Sequence, residues 1–411
     1  MAQAARAHDR DEAYATPLET LDMSQVQRFR DDTIWPYFER LRKEAPVHYC
    51  PTSHFGPYWS ITRYNDIVAV DTNHKVFSSA GGITLLEPRS EELRAPNFIS
   101  MDPPKHDDQR KAVSPIVAPA NLMNFEPLIR SRTIAVLESL PRDETFDWVD
   151  RVSIELTTQM LATLFDFPFE DRRLLTHWSD VATTIPFTPE QWDNREAELQ
   201  KCLAYFTRLW NERVNAAPRP DLISMLAHNP ATRHMAPREF LGNLILLIVG
   251  GNDTTRNSMT GGLYHLSQNP GEYDKLRADP SLIPNMVSEI IRYQTPLAYM
   301  RRRALTDIVM GGKTIKAGDK VLMWYVSGNR DEAMIDDPNR FWIDRPKARQ
   351  HLSFGFGIHR CVGNRLAEQQ LKILWEETLK RYPRIEVVGD VTRVSSSFVR
   401  GYTSLPVRLP R

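Results

Sequence analysis

Cysteine is scarce. The 411 residues contain 3, Cys50, Cys202 and Cys361. They stand far apart, with neither metal-ligand nor disulfide spacing, which excludes a disulfide framework and a cysteine zinc module and suits a reducing cytosol. An excess of one charge is also missing, since Lys plus Arg and Asp plus Glu both total 52. That balance gives no electrostatic reason to expect nucleic acid or an anionic membrane as a partner. Long apolar runs are absent: the longest, residues 244–249, is 6 residues, far too short to span a bilayer. The polar, charged stretch 1–11 has no signal-peptide core. No membrane anchor is therefore expected, the expected location is the cytoplasm, and residues 1–20 are expected to be mobile or loosely docked. With no Gly/Ser-rich linker, repeat or low-complexity tract, a single domain over 1–411 is expected.

Helical periodicity dominates what is present. It predicts helices over 35–43, 64–72, 105–117, 124–139, 150–166, 170–184, 191–215, 220–227, 237–268 and 284–294. A strand is expected over 58–63, and a long loop, of the kind that often carries function, over 77–100. Residues 313–324 read as a hairpin turning at Ala317-Gly318-Asp319. The expected class is mainly α with a minor β region.

The run Phe354-Gly355-Phe356-Gly357-Ile358-His359-Arg360-Cys361-Val362-Gly363 follows F-x-x-G-x-H-x-C-x-G. Its glycines permit tight turns and close approach to a flat group. Backbone N–H groups can then point at the sulfur and help keep it a thiolate. The helical pattern from Asn364 places that sulfur near a helix N-terminus, which favours negative charge. Upstream, Gly250-Gly251-Asn252-Asp253-Thr254-Thr255 interrupts a long apolar helix. Each glycine there costs about 1 kcal/mol relative to alanine, so a local widening or kink with a functional reason is expected.

The cysteine run resembles the haem-thiolate signature of the cytochrome P450 monooxygenases, and the resemblance covers nearly the whole chain. It implies the P450 fold and haem b, with Cys361 as axial iron ligand, pushing electron density towards oxygen. Phe354 and Gly355 would lie against the haem. Asp253-Thr254, about 110 residues before Cys361, resembles the family's acid–alcohol motif, and Thr254 with Asp253 would then handle protons. His106 and Arg110, at i and i+4 on one helix face, would hold one haem propionate. Arg302 and His359 match the other propionate partners, with Arg301 and Arg303 leaving the choice within the triplet open. Glu289 and Arg292 form E-x-x-R, which in the family is a buried structural pair, with Arg340 as the expected third partner.

No flavin or ferredoxin module is present, so electrons must come from outside. Six basic residues between 340 and 365 (Arg340, Arg345, Lys347, Arg349, Arg360, Arg365) face one acid, Asp344. They either steer an acidic iron–sulfur ferredoxin, served by its reductase, or form a solvated face. Substrate-lining candidates are Leu85 in the 81–86 loop, Leu246, Val249, Gly250, Leu297, Met300 and Phe398, with Ile185–Phe187 as a lid. Their apolar character implies a lipophilic substrate oxidised with O2. Residues 247–259 and 351–368 look like the bacterial alkane-hydroxylase branch, which implies oxidation at the terminal carbon of medium-chain alkanes or fatty acids. The alternatives are a terpenoid or steroid hydroxylase and, from another class, a haem-based sensor or carrier without turnover.

Overall fold

The computed structural model describes residues 2–410. In chain order its main helices are α1 (Ala2–Ala15), α2 (Trp35–Glu44), α3 (Lys105–Val113), α4 (Pro119–Glu138), α5 (Glu155–Phe165), α6 (Arg173–Thr183), α7 (Pro189–Val214), α8 (Pro237–Gln268), α9 (Ile283–Gln294) and α10 (Asn364–Arg381). Helix α8, 32 residues long, is the axis of the molecule, at roughly 48 Å for a rise of 1.5 Å per residue. Pro237 opens it, where a missing N–H costs nothing. Helices α5, α6, α7, α9 and α10 pack around it.

Two apolar clusters grip α8 at different heights. Met259, Leu263 and Leu266 meet Met286, Val287 and Ile290 of α9 and Leu371, Leu374 and Trp375 of α10. Leu241, Leu244 and Ile248 meet Leu161 and Phe165 of α5, Trp178 of α6 and Phe206 of α7. Two α8 glycines permit close crossings. A Cβ at Gly242 would lie 2.2 Å from the Pro96 carbonyl oxygen, and one at Gly251 would lie 2.6 Å from Leu161 Cδ2.

The larger sheet contains β1 (Val47–Cys50), β2 (Tyr58–Ile61), β3 (Phe77–Ser78), β4 (Met300–Ala304) and, after a separate hairpin of β5 (Ile308–Met310) and β6 (Lys313–Ile315), β7 (Lys320–Met323). Its order is β1-β2-β7-β4-β3, with β2 and β7 parallel. Strand alternation puts Met300 and Arg302 on one face of β4, and Arg301 and Arg303 on the other.

Two expectations are corrected. The turn at 317–319 exists, but β6 and β7 do not pair with each other. β6 pairs back onto β5 across Gly311-Gly312, and β7 is taken into the larger sheet between β2 and β4. Within the segment 1–20, the stretch around residues 10–13 is docked and not mobile: Arg10 binds Glu39 at 2.9 Å, Tyr37 Oη donates to Glu12 at 2.8 Å, and Arg40 donates to the Ala13 carbonyl at 2.8 Å. The helix from Pro270 to Ala278 was not anticipated, because its apolar positions are too few to stand out beside α8.

Candidate active site

Cys361 sits in the turn leading into α10, its N–H donating to the Phe354 carbonyl at 2.8 Å. Its side chain lines a cavity of about 460 Å³. Burial raises the thiol's pKa, while N–H groups of Gly363 and Asn364 and the charges of Arg110 and Arg360 pull it down. This is the arrangement expected from the glycines and the helix N-terminus. Phe354 and Gly355 line the same cavity. Gly355 has φ of +65°, and Asp71 and Tyr325 side-chain oxygens lie 3.2 Å from where its Cβ would be, so a side chain is excluded twice over.

On the opposite wall Thr254 and Gly250 line the cavity. The backbone is α-helical throughout this stretch. The groove arises because a Cβ at Gly250 would meet nothing within 4 Å, and Thr254 Oγ1 donates back to the Gly250 carbonyl at 2.7 Å. Asp253 does not line the cavity. It is fully buried, accepting from Ser179 Oγ at 2.8 Å and from Arg256 at 2.5 Å. Burial drives its carboxyl pKa up, and Arg256 opposes this. Arg256 also binds Asp180 at 2.9 Å, whose side chain is 53% exposed. A continuous polar path therefore joins Asp253 to solvent.

His359, Arg302 and Arg110 line the cavity, and His106 stands behind His359 with ring centroids 4.4 Å apart. His106 Nε2 and both ring nitrogens of His359 are buried without a partner. Burial, with the nearby Arg302, pushes His359 down to about 2. Arg110 donates to the Arg360 carbonyl. Within the triplet, Arg302 faces the cavity. Arg301 is committed to the 81–87 loop, donating to Gly81 at 2.6 Å and Glu87 at 2.6 Å. Arg303 points outward. Arg302 is held by Asp71 at 2.8 Å, and the other oxygen of Asp71 accepts from Tyr325 Oη at 2.8 Å and Phe356 N–H at 2.7 Å. No sequence signal marks Asp71; only folding brings it to the cysteine loop.

Glu289 and Arg292 are paired at 2.7 Å, both fully buried. The third partner is Arg345, 3.1 Å from Glu289, and not Arg340. The Arg340 carbonyl accepts from Arg292 and Arg345, which turns its side chain outward to Glu272 at 3.6 Å. Of the apolar candidates, Leu246, Val249, Gly250, Leu297, Met300 and Phe398 line the cavity, as does Ile185. Leu85 does not. It is packed in the core with Tyr299 and Trp324, because its N–H is held by Tyr299 Oη at 3.0 Å. Phe187 is exposed against His54.

A soft sulfur ligand on one side, a bare helix groove on the other, and unpartnered imidazoles with arginines at the edge fit a flat, iron-bearing group with two anionic arms. The cytochrome P450 family model matches residues 186–395. The solved structure of CYP153D17 from Sphingomonas sp. superposes with a TM-score of 0.91 at 51% identity, covering 95% of this chain and 99% of that one. Linalool 8-monooxygenase of Pseudomonas putida is 35% identical over 95% of this chain and 99% of its own length. A methyl-branched lipid omega-hydroxylase of Mycobacterium tuberculosis is 31% identical over 92% and 91%. The fold and site thus define a haem-dependent monooxygenase. The chain belongs to the cytochrome P450 family, whose cofactor is haem b. Among the described residues no helix is long and apolar enough to cross a membrane.

Proposed function

We propose that this P450 hydroxylates the terminal carbon of medium-chain n-alkanes or fatty acids, using O2 and electrons from an external ferredoxin and its reductase. The observation carrying this reading is the apolar cavity, walled by Leu246, Val249, Leu297, Met300 and Phe398, that runs to Cys361. The bound haem supplies the iron at which dioxygen is activated. Cys361 would bind its iron, and Arg110, Arg302 and His359, with His106 behind His359, would hold its propionates. Thr254 presents a hydroxyl at the reacting face. Asp253 is the proposed carboxyl that carries protons inward from solvent; Arg256, which stays charged, holds it beside the exposed Asp180 and does not itself pass a proton. Replacing Asp253 by Asn is expected to lower product formation about 100-fold, within the usual range for a lost acid–base group, and to raise the solvent isotope effect on turnover. A D253N variant with an unchanged isotope effect would remove the relay.

A terminal methyl carries a stronger C–H bond than the methylene beside it, so selectivity must come from positioning. Leu297 is well placed to narrow the approach, since its backbone bridges to Val399 and the neighbouring Ala298 N–H donates to Phe398 at 2.8 Å. Leu297→Ala is expected to shift products inward along the chain, read as the ratio of terminal to subterminal alcohol by mass spectrometry. An unchanged ratio would exclude Leu297. Electron delivery by an acidic ferredoxin is supported by the exposed Lys347, Arg349, Arg360 and Arg365 near the cysteine loop. Arg345 drops out of that patch because it is buried.

The reading is tested by turnover of octane, dodecane and lauric acid with a surrogate ferredoxin and reductase. Terminal alcohols and ω-hydroxy acids are expected, and subterminal mixtures would refute terminal attack. The likeness to linalool 8-monooxygenase favours one second reading, a terpenoid substrate. Haem spin-state changes with linalool but not with lauric acid or dodecane would select it.

A further inference from the structure

The charges lining the cavity are nearly all matched. Glu87 binds Arg301 and Lys320, Arg94 binds Glu91, Arg238 binds Glu196 at 2.7 Å, and Arg302 binds Asp71. Arg110 belongs to the Cys361 end. Arg195 is different. It lines the cavity from α7, and among the described residues no carboxylate lies within salt-bridge distance of it. Its Nε is buried without a partner. Its Nη2 donates to the Ala182 carbonyl at 3.2 Å, and Trp192 flanks it with a ring centroid 5.9 Å away. Neighbouring Glu196 is neutralised by Arg238, and Asp193 by Arg89. Glu196 still acts on Arg195 through space, but among the described residues no carboxylate is bonded to this cation, which faces the cavity.

Its position is also telling. Arg238, bonded to Glu196, stands roughly 18 Å along α8 from Gly250 at 1.5 Å per residue. The α6–α7 junction thus lines the cavity at a distance from the Gly250 groove. A half-buried guanidinium with no bonded carboxylate is a good receptor for one, which it binds through charge-assisted hydrogen bonds.

We infer that Arg195 binds the carboxylate of a free fatty acid, holding the chain so that its methyl end points to the Cys361 side, and that fatty acids are preferred over alkanes. This rests on the terminal-hydroxylase reading and narrows it. The plain alternative is that Arg195 only caps the last carbonyls of α6. Such a role would affect every ligand alike.

The test measures dissociation constants of lauric acid and dodecane from the haem spin-state change in the haem-loaded wild type, Arg195→Met and Arg195→Lys. Expected is weaker lauric acid binding in Arg195→Met by about 10- to 100-fold, the scale of hydrogen bonds to a charged group. Dodecane should stay within about twofold of wild type, and Arg195→Lys should fall between. Equal weakening of both ligands, or unchanged lauric acid affinity, overturns the assignment while leaving the terminal-hydroxylase reading intact. If wild type responds to neither ligand, that reading fails and takes this inference with it.

Discussion

Cys361→Ser is expected to reduce turnover of every substrate below about one-thousandth of wild type, because a serine oxygen cannot supply the electron donation of a thiolate. The substitution is nearly isosteric, and the N–H bond to Phe354 does not involve the side chain. Circular dichroism and thermal melting should therefore stay close to wild type, while the reduced carbon-monoxide spectrum loses its thiolate signature. The other cysteines offer no substitute. Cys50 and Cys202 are buried away from the cavity. Burial pushes Cys50 up to about 11 and Cys202 higher still, so both remain protonated thiols. Substantial turnover in Cys361→Ser would place the reacting group elsewhere.

Glu289→Ala is expected to destabilise the protein by roughly 3–5 kcal/mol, the cost of leaving buried charge uncompensated. Glu289 accepts from Arg292 at 2.7 and 2.8 Å, from Arg345 at 3.1 Å and from the Trp342 N–H at 2.9 Å. Arg292 in turn donates to the carbonyls of Asn329 and Pro338. The carboxylate thus ties α9 to the irregular chain ahead of the cysteine loop, and its removal strands two guanidinium groups. A chemical-denaturation midpoint measures the loss. Arg345→Met should lower the midpoint clearly, while Arg340→Met should leave it within about 0.5 kcal/mol, as for an exposed position: its side chain is 52% exposed and 3.6 Å from Glu272. The opposite ranking would reinstate Arg340 as the third partner.

The contrast between Arg340 and Arg345 shows where sequence reading runs out. Glu289 and Arg292 are three apart on one helix, so local geometry alone makes them face each other. Their third partner lies some fifty residues on, in chain without periodicity, and no spacing rule selects between two nearby arginines. Asp71 is the same case. It is one acid in an ordinary helix until the fold sets it beside Arg302, Tyr325 and Phe356. Leu85 is a related case: in a loop, neither face is dictated by period, and the Tyr299 hydroxyl turns this leucine into the core.

Local chemistry was legible directly from the residues. The cysteine turn with its glycines, the paired glycines of α8, and the helix bounds 64–72 and 237–268 each depend on neighbours within a few positions. Such interactions are encoded in spacing. Strand partners, the docking of residues 10–13, the turning of Arg302 rather than its neighbours to the cavity, and the lack of a bonded carboxylate at Arg195 were set by folding. Each depends on which distant groups are brought within hydrogen-bond reach, and on which charges find a counter-charge there and which do not.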